Sequence, residues 1–192
     1  EWLLKAGITH EGFKNHVVVV SAKEDAAEFF GLPKDNYFPI WDWVGGRFSV
    51  WGAIGLPVAI ALGSGIFKRF LAGAHMMDKH ASFTELQNNL PALMAMFAYW
   101  NTVKLDVSSF CFLPYDERLR TMVDWLQQLE MESLGKSTKP DGSPIVGKTS
   151  LAVWGGHGNE SQHSFYQWLR EGTAKNAIDV CWCKKPGHNH KE

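Results

Sequence analysis

Trp41-Asp42-Trp43-Val44-Gly45-Gly46-Arg47-Phe48-Ser49-Val50-Trp51 is the stretch whose reading decides the fold. Two adjacent glycines allow positive φ or a close approach of backbone to a ligand. The arginine behind them is a permanent cation. Walled by rings on both sides, it can meet negative charge in a partly dry site. The plainer use of the same residues is a turn in which Arg47 pairs with Asp42. Residues 37–40 read as a short strand that delivers this turn at its carboxyl end. Ligands of α/β sheets gather beyond the carboxyl ends of strands, and Arg47 stands in such a place.

Outward from the turn, strands and helices alternate. Residues 16–21 carry a β-branched run, apolar without interruption, as expected of a strand buried on both faces. Residues 22–30 read helical and stop at Gly31-Leu32-Pro33. Residues 67–80 and 86–106 have apolar positions at helical spacing, with Leu90, Leu93, Met94, Phe97 and Trp100 expected to form one buried stripe. Residues 107–113, 151–154 and 178–183 read as further strands. Residues 114–131 read as a helix with acidic residues in its first turn, and 161–171 as another. The polar stretch 137–148 is a loop or hairpin, and the tail 184–192 is expected to be mobile. This alternation argues an α/β fold with a largely parallel sheet.

Composition narrows the function. The 192 residues are 45% hydrophobic and 20% charged, an ordinary globular balance. A formal net charge of −1 gives no bulk attraction for nucleic acid or an anionic membrane, so any anion affinity is local. Three cysteines, Cys111, Cys181 and Cys183, do not make a secreted disulfide framework, and a reduced cytosolic setting is expected. Residues 48–67 lack charge over a length that spans a bilayer. Their serines, glycines and Pro57 point instead to a turn and a buried helix.

Two motifs invite chemistry that their surroundings do not support. Gly142-Ser143-Pro144-Ile145-Val146-Gly147-Lys148-Thr149 fits a phosphate-loop pattern. A working phosphate loop follows a strand and opens a helix, and here a strand-like run follows. Cys181-Trp182-Cys183 with His188 and His190 offers four zinc ligands, but one intervening residue is poor spacing for a structural site. No metal is expected.

Asp42-Trp43-Val44-Gly45-Gly46-Arg47-Phe48-Ser49-Val50-Trp51-Gly52-Ala53-Ile54-Gly55 resembles the signature of the glucose-6-phosphate isomerase (phosphoglucose isomerase) family. Gln127-Gln128-Leu129-Glu130-Met131-Glu132-Ser133-Leu134-Gly135-Lys136 and Trp154-Gly155-Gly156-His157-Gly158-Asn159-Glu160-Ser161-Gln162-His163-Ser164-Phe165-Tyr166-Gln167 agree with it in order and spacing. Glu1-Trp2 and Leu113-Pro114-Tyr115-Asp116 also look like family sequence, so the resemblance runs along essentially the whole chain. The family's upstream Ser-Lys-Thr-x-Thr-Thr loop and its downstream glutamine and lysine have no counterpart here. Glu1-Trp2 reads like the middle of a helix without an initiator methionine. The chain is therefore expected to be a central fragment of a longer enzyme.

The resemblance implies a sugar isomerase (SIS) fold, a doubly wound, mostly parallel sheet in each of two lobes, present here in part. Residues 1–56 would close the smaller lobe and 57–192 belong to the larger. It implies an aldose–ketose isomerase of glycolysis and gluconeogenesis that interconverts glucose 6-phosphate and fructose 6-phosphate through a cis-enediol. Glu132 aligns with the family's proton-transfer base. On spacing alone it is a helix-end glutamate sharing a face with Gln128, of a kind usually solvated. A carboxylate with its pKa raised by partial burial suits a proton that is taken from one carbon and returned to its neighbour. His163 corresponds to the histidine that helps open the sugar ring, reaching the partner subunit's site, which implies a homodimer. Without the resemblance it reads as a packed or capping histidine; His157 reads as structural, and His75 and His80 as ordinary residues of a helix. Arg47 would stabilise charge on the enediol oxygens. Gly46 would add a backbone contact, and Gln128 would contact the sugar phosphate. No cofactor, nucleic acid or membrane is implied. The alternatives are an inactive sugar-phosphate-binding fragment and a phosphosugar-sensing SIS module. Glu132, Arg47 and His163 together speak against the sensor, which needs no base.

Overall fold

Residues 1–185 are described by the computed structural model. The chain forms two compact units, Glu1–Lys79 and His80–Glu192.

The first unit is organised around a short parallel pair. After α1 (Trp2–Lys5) and a 3-10 turn at His10–Asn15, β1 (Val19–Ser21) lies beside β2 (Tyr37–Pro39), with Val20 opposite Phe38. Between them runs α2 (Ala26–Phe29), shorter than the helix expected over 22–30. Its end explains the length. Gly31, at φ +67°, lets its own amide reach Glu28 O at 2.8 Å and the Leu32 amide reach Ala27 O at 2.8 Å. This paired closure terminates the helix and brings Leu32 over Ala27, and these two side chains are buried. The Asn36 amide donates to Lys14 O at 2.7 Å and Val17 O at 2.6 Å, and the Tyr37 hydroxyl donates to Ser21 O at 2.9 Å. Beyond β2 come 3-10 turns at Gly46–Trp51 and Ala53–Gly55, α3 (Leu56–Leu62) and α4 (Ser64–Phe83). Among the described residues no helix is long and apolar enough to cross a membrane.

The second unit holds α5 (Leu90–Tyr99), β3 (Ser109–Pro114), α6 (Met122–Leu126), β4 (Ala152–Gly155), α7 (Gly158–Ser161), α8 (Tyr166–Glu171) and β5 (Asn176–Cys181). The three strands form one parallel sheet in the order β4-β3-β5. Cys111 stands opposite Trp154 on one side and Ile178 on the other. Cys111, Phe112, Leu113 and Pro114 are buried in succession, as expected of a central parallel strand covered on both faces. Asn89 starts α5 from a buried position. Its Oδ1 accepts from the Ala92 amide at 3.2 Å, and its amide donates to Ala81 O at 2.8 Å and Thr84 O at 3.3 Å.

Other helical readings change as well. The helix expected over 114–131 is a 3-10 turn at Glu117–Leu119, then α6, then a π-helical segment at Gln127–Glu132. The helix expected over 86–106 breaks into a 3-10 turn, α5, and a π-helical segment at Trp100–Lys104. Of the expected stripe, Leu90, Met94, Phe97 and Trp100 are exposed and Leu93 is half-buried, because an open groove rather than packed side chains lies between Met94 and Phe97 of α5 and Phe110 and Ile178 of the sheet. Helical periodicity identifies an apolar face but does not supply the element that covers it. The stretch 137–148 is a hairpin-like loop closed by an antiparallel bridge of Thr138 with Pro144.

Candidate active site

The residues singled out by sequence fall on both units, Gly46 and Arg47 on the first and Gln128, Glu132 and His163 on the second. Each set is built within its own unit.

Gly46 opens the 3-10 turn Gly46–Trp51 directly beyond the strand-to-turn segment that follows β2. The turn is closed locally: the Phe48 amide donates to Gly45 O at 3.0 Å, and the Ser49 hydroxyl donates to Gly46 O at 2.7 Å. Gly45 sits at φ −66°, and Gly46 is not among the positive-φ glycines, so neither glycine serves a left-handed turn. A Cβ at Gly46 would meet nothing within 4 Å. What the pair provides is bare backbone facing open space, next to a half-buried Arg47. Trp41 and Trp43 stack nearby with ring centroids 5.6 Å apart, and both are exposed.

In the second unit the π-helical segment is fastened to β4. The Gln127 side chain donates to Val153 O at 3.1 Å, the Val153 amide donates to Met131 Sδ at 3.4 Å, and the Ser150 hydroxyl donates to Glu130 O at 3.3 Å. With Gln127, Glu130 and Met131 turned to the sheet, Gln128 and Glu132 lie on the exposed side of the segment. Sequence spacing placed these two on one helical face. The structure puts them one turn apart in a wider helix, a form that is frequent at functional sites. Lys136 Nζ caps the Glu132 carbonyl.

His163 is exposed in the turn of residues 162–165 between α7 and α8, not inside one continuous helix. The turn grows from the carboxyl end of β4 through Gly155-Gly156-His157-Gly158. Gly155 sits at φ +142°, with a Cβ there lying 2.0 Å from Phe112 O, and a Cβ at Gly158 would lie 2.4 Å from the Tyr115 ring. Only glycine lets the loop pass so close to β3 and its following turn. Ser161 is buried, and its hydroxyl donates to His157 O at 2.8 Å.

Sequence reading missed the polar groups that tie the β3 and β4 turns together. Arg120 donates from Nε to Glu117 Oε1 at 2.5 Å and grips both oxygens of Glu160 at 2.8 and 2.6 Å. These bonds to Arg120 hold both carboxyls below the usual carboxylate range. The three-residue spacing of Glu117 and Arg120 was a visible signal for the first pair, whereas Glu160 is forty residues away. The Tyr115 and Tyr166 hydroxyls meet at 2.6 Å, and burial, then this bond, raise the Tyr166 pKa. Arg118 holds the Asp116 carboxyl far below its ordinary range.

Lys148 reaches Asp106 at 2.5 Å, and residues 142–149 run into β4 instead of a helix, so no phosphate loop forms. His188 and His190 lie outside the described residues, and the described residues hold no cluster of three or more metal-binding side chains. His80 is structural: within the second unit its Nε2 accepts from the Leu90 amide at 3.0 Å, at the start of α5. An apolar groove of ≈ 880 Å³, walled by Met94, Phe97, Phe110 and Ile178, includes none of the candidate residues. It follows from the uncovered row of α5.

The family model described as phosphoglucose isomerase matches residues 1–191. A glucose-6-phosphate isomerase of Acinetobacter baylyi is 47% identical over 180 residues, 93% of this chain and 32% of the relative. One of Bordetella petrii is 45% identical over 187 residues, 97% of this chain and 36% of the relative. The crystal structure of a glucose-6-phosphate isomerase from Chlamydia trachomatis superposes with a TM-score of 0.81 at 33% identity, covering 93% of this chain and 34% of that one. The chain thus spans about a third of the length of the relatives it matches. Its fold is α/β with parallel strands in open sheets, an incomplete doubly wound fold of sugar isomerase type.

Proposed function

Because this chain belongs to the phosphoglucose isomerase family, we propose that it carries part of the machinery for interconverting glucose 6-phosphate and fructose 6-phosphate. The observation that carries the reading is Glu132, held outward on a π-helical segment fastened to β4, with Gln128 one turn before it. In the proposed route His163 assists ring opening. Glu132 then removes the proton from C2 of the aldose, and the electron pair forms the C1–C2 double bond of a cis-enediol. The C1 oxygen takes up a proton as the enediol forms, and the C2 hydroxyl releases one as the same carboxyl returns its proton to C1, giving the ketose, so the step balances without any external oxidant. Arg47 stabilises charge on the enediol oxygens, with Gly46 offering backbone and Gln128 contacting the phosphate.

Residues 1–56 belong in this reading to the smaller lobe and 57–192 to the larger. The working enzyme is a cytoplasmic homodimer in which His163 serves the partner's site. Replacing Glu132 by Gln keeps size and removes the base. Turnover is expected to fall at least about a thousandfold, a loss on the scale of a lost proton-transfer group, while sugar-phosphate binding persists. Unchanged turnover contradicts the assignment.

A second reading, a sugar-phosphate-binding module without catalysis, is favoured by one observation. Glu132 is exposed to water in this chain, whereas a proton-transfer site is closed to it. Catalysis by the chain itself rules that reading out.

A further inference from the structure

Arg120 joins two segments that leave the same end of the sheet. It follows the 3-10 turn beyond β3, and its guanidinium forks onto Glu160 of α7 while Nε holds Glu117. The second oxygen of Glu117 lies 3.8 Å from His157 Nε2. His157 is only 13% exposed, and its Nδ1 is buried without a partner among the described residues. A carboxylate gripped by Arg120 thus lies beside a sheltered imidazole. Single surface ion pairs contribute little, but a forked arginine within a network of several charges is the exception.

His163 follows Glu160 by three residues, in the turn that α7 feeds. α7 is fixed on its other side as well, where Gly158 lies against the Tyr115 ring and Ser161 closes onto His157 O. α7, which leads into the turn of His163, is therefore held both by close backbone packing and by Arg120. We propose that Arg120, acting through Glu117, Glu160 and His157, is a positioning residue that sets where His163 stands for ring opening. Arg120 touches no substrate. The inference rests on the isomerase reading above. Displacing a reacting group by about 1 Å can cost up to about a hundredfold in rate.

The test separates ring opening from proton transfer, using the full chain. Fructose 6-phosphate must open its ring before reaction. A four-carbon aldose 4-phosphate cannot close a ring, because phosphate occupies its terminal oxygen. Exchange of its C2 proton with D2O therefore needs Glu132 and not His163. In Arg120→Met, kcat for fructose 6-phosphate is expected to fall about tenfold with KM within about twofold, while tetrose exchange stays within about twofold. Arg120→Lys, with a point charge that reaches one carboxylate, recovers part of the loss. Glu160→Gln keeps the Arg120–Glu117 pair, guards against a folding defect in Arg120→Met, and is expected to show the same split. Parallel losses on both substrates, or unchanged hexose turnover, overturn the proposal. An unsubstituted chain with neither activity, or tetrose exchange that survives Glu132→Gln, counts against the isomerase reading instead.

Discussion

The two sheets of this chain do the same job with unequal cover. β1–β2 and β4-β3-β5 are both parallel, and each sends a glycine-containing turn from a carboxyl end toward a candidate residue, Arg47 in one and His163 in the other. In the second unit β3 is hydrogen-bonded on both edges, and four consecutive residues of it are buried. In the first unit each strand has one paired edge, and the buried apolar side chains are Ala27 and Leu32, both at the end of α2. Trp43, on the way to the arginine turn, is 79% exposed. An isolated two-stranded pair is marginal in water, and loosely covered segments open at low cost. The glutamate and histidine thus stand on a rigid three-stranded support, and the arginine turn on a lighter one.

Thiol labelling tests the closed half of this contrast most sharply. Burial pushes the Cys111 thiol up to about 11. At pH 8 Cys111 is expected to react at least about a hundredfold more slowly than an ordinary thiol of pKa about 8.5. The part-exposed Cys181 and Cys183 label first. Equal labelling of all three in the folded chain would break the comparison. Leu113→Ala, in the middle of the buried run, is expected to cost about 2–5 kcal/mol in denaturant unfolding. Asn89→Ala removes a cap and two further bonds from a buried site and is expected to cost about 1–2 kcal/mol. Ile60→Ala, at a side chain 73% exposed in α3, is expected to stay within about 0.5 kcal/mol. A loss at Ile60 as large as that at Leu113 would mean the first unit is as well covered as the second.

The smallest effect is acidic. Glu117 and Glu160 have depressed pKa values because of Arg120, so the unfolded chain takes up their protons at higher pH than the folded one. Their contribution is present at neutral pH and fades as pH falls below about 4.3. Arg120→Met is expected to flatten this acid limb in a pH series of unfolding midpoints. Identical limbs in both chains would show the network to be energetically idle.

Much of this arrangement was legible in the sequence. The Gly31 stop and the strands around residues 107–113 and 151–154 reflect local rules that the structure obeys; the β-branched run before Ser21 does form a strand, but with one paired edge it is part-exposed rather than buried on both faces. Glycine pairs told where turns would fall, though Gly45-Gly46 works through bare backbone and not through positive φ. What stayed hidden has one physical cause. Cover and long-range polar pairing depend on residues far away in the chain. The α5 stripe looked buried because periodicity carries no information about the opposing surface. Arg120–Glu160 spans forty positions, and the break of one expected helix into 3-10, α and π segments follows from fastening Gln127 and Met131 to β4.

Deuterium transfer measures the central claim most directly. The chain is incubated with fructose 6-phosphate in D2O beside Glu132→Gln, and label at C1 and C2 of the hexose phosphates is read by NMR. The account predicts incorporation by the unsubstituted chain and none by the variant. Incorporation of equal extent in both would contradict it.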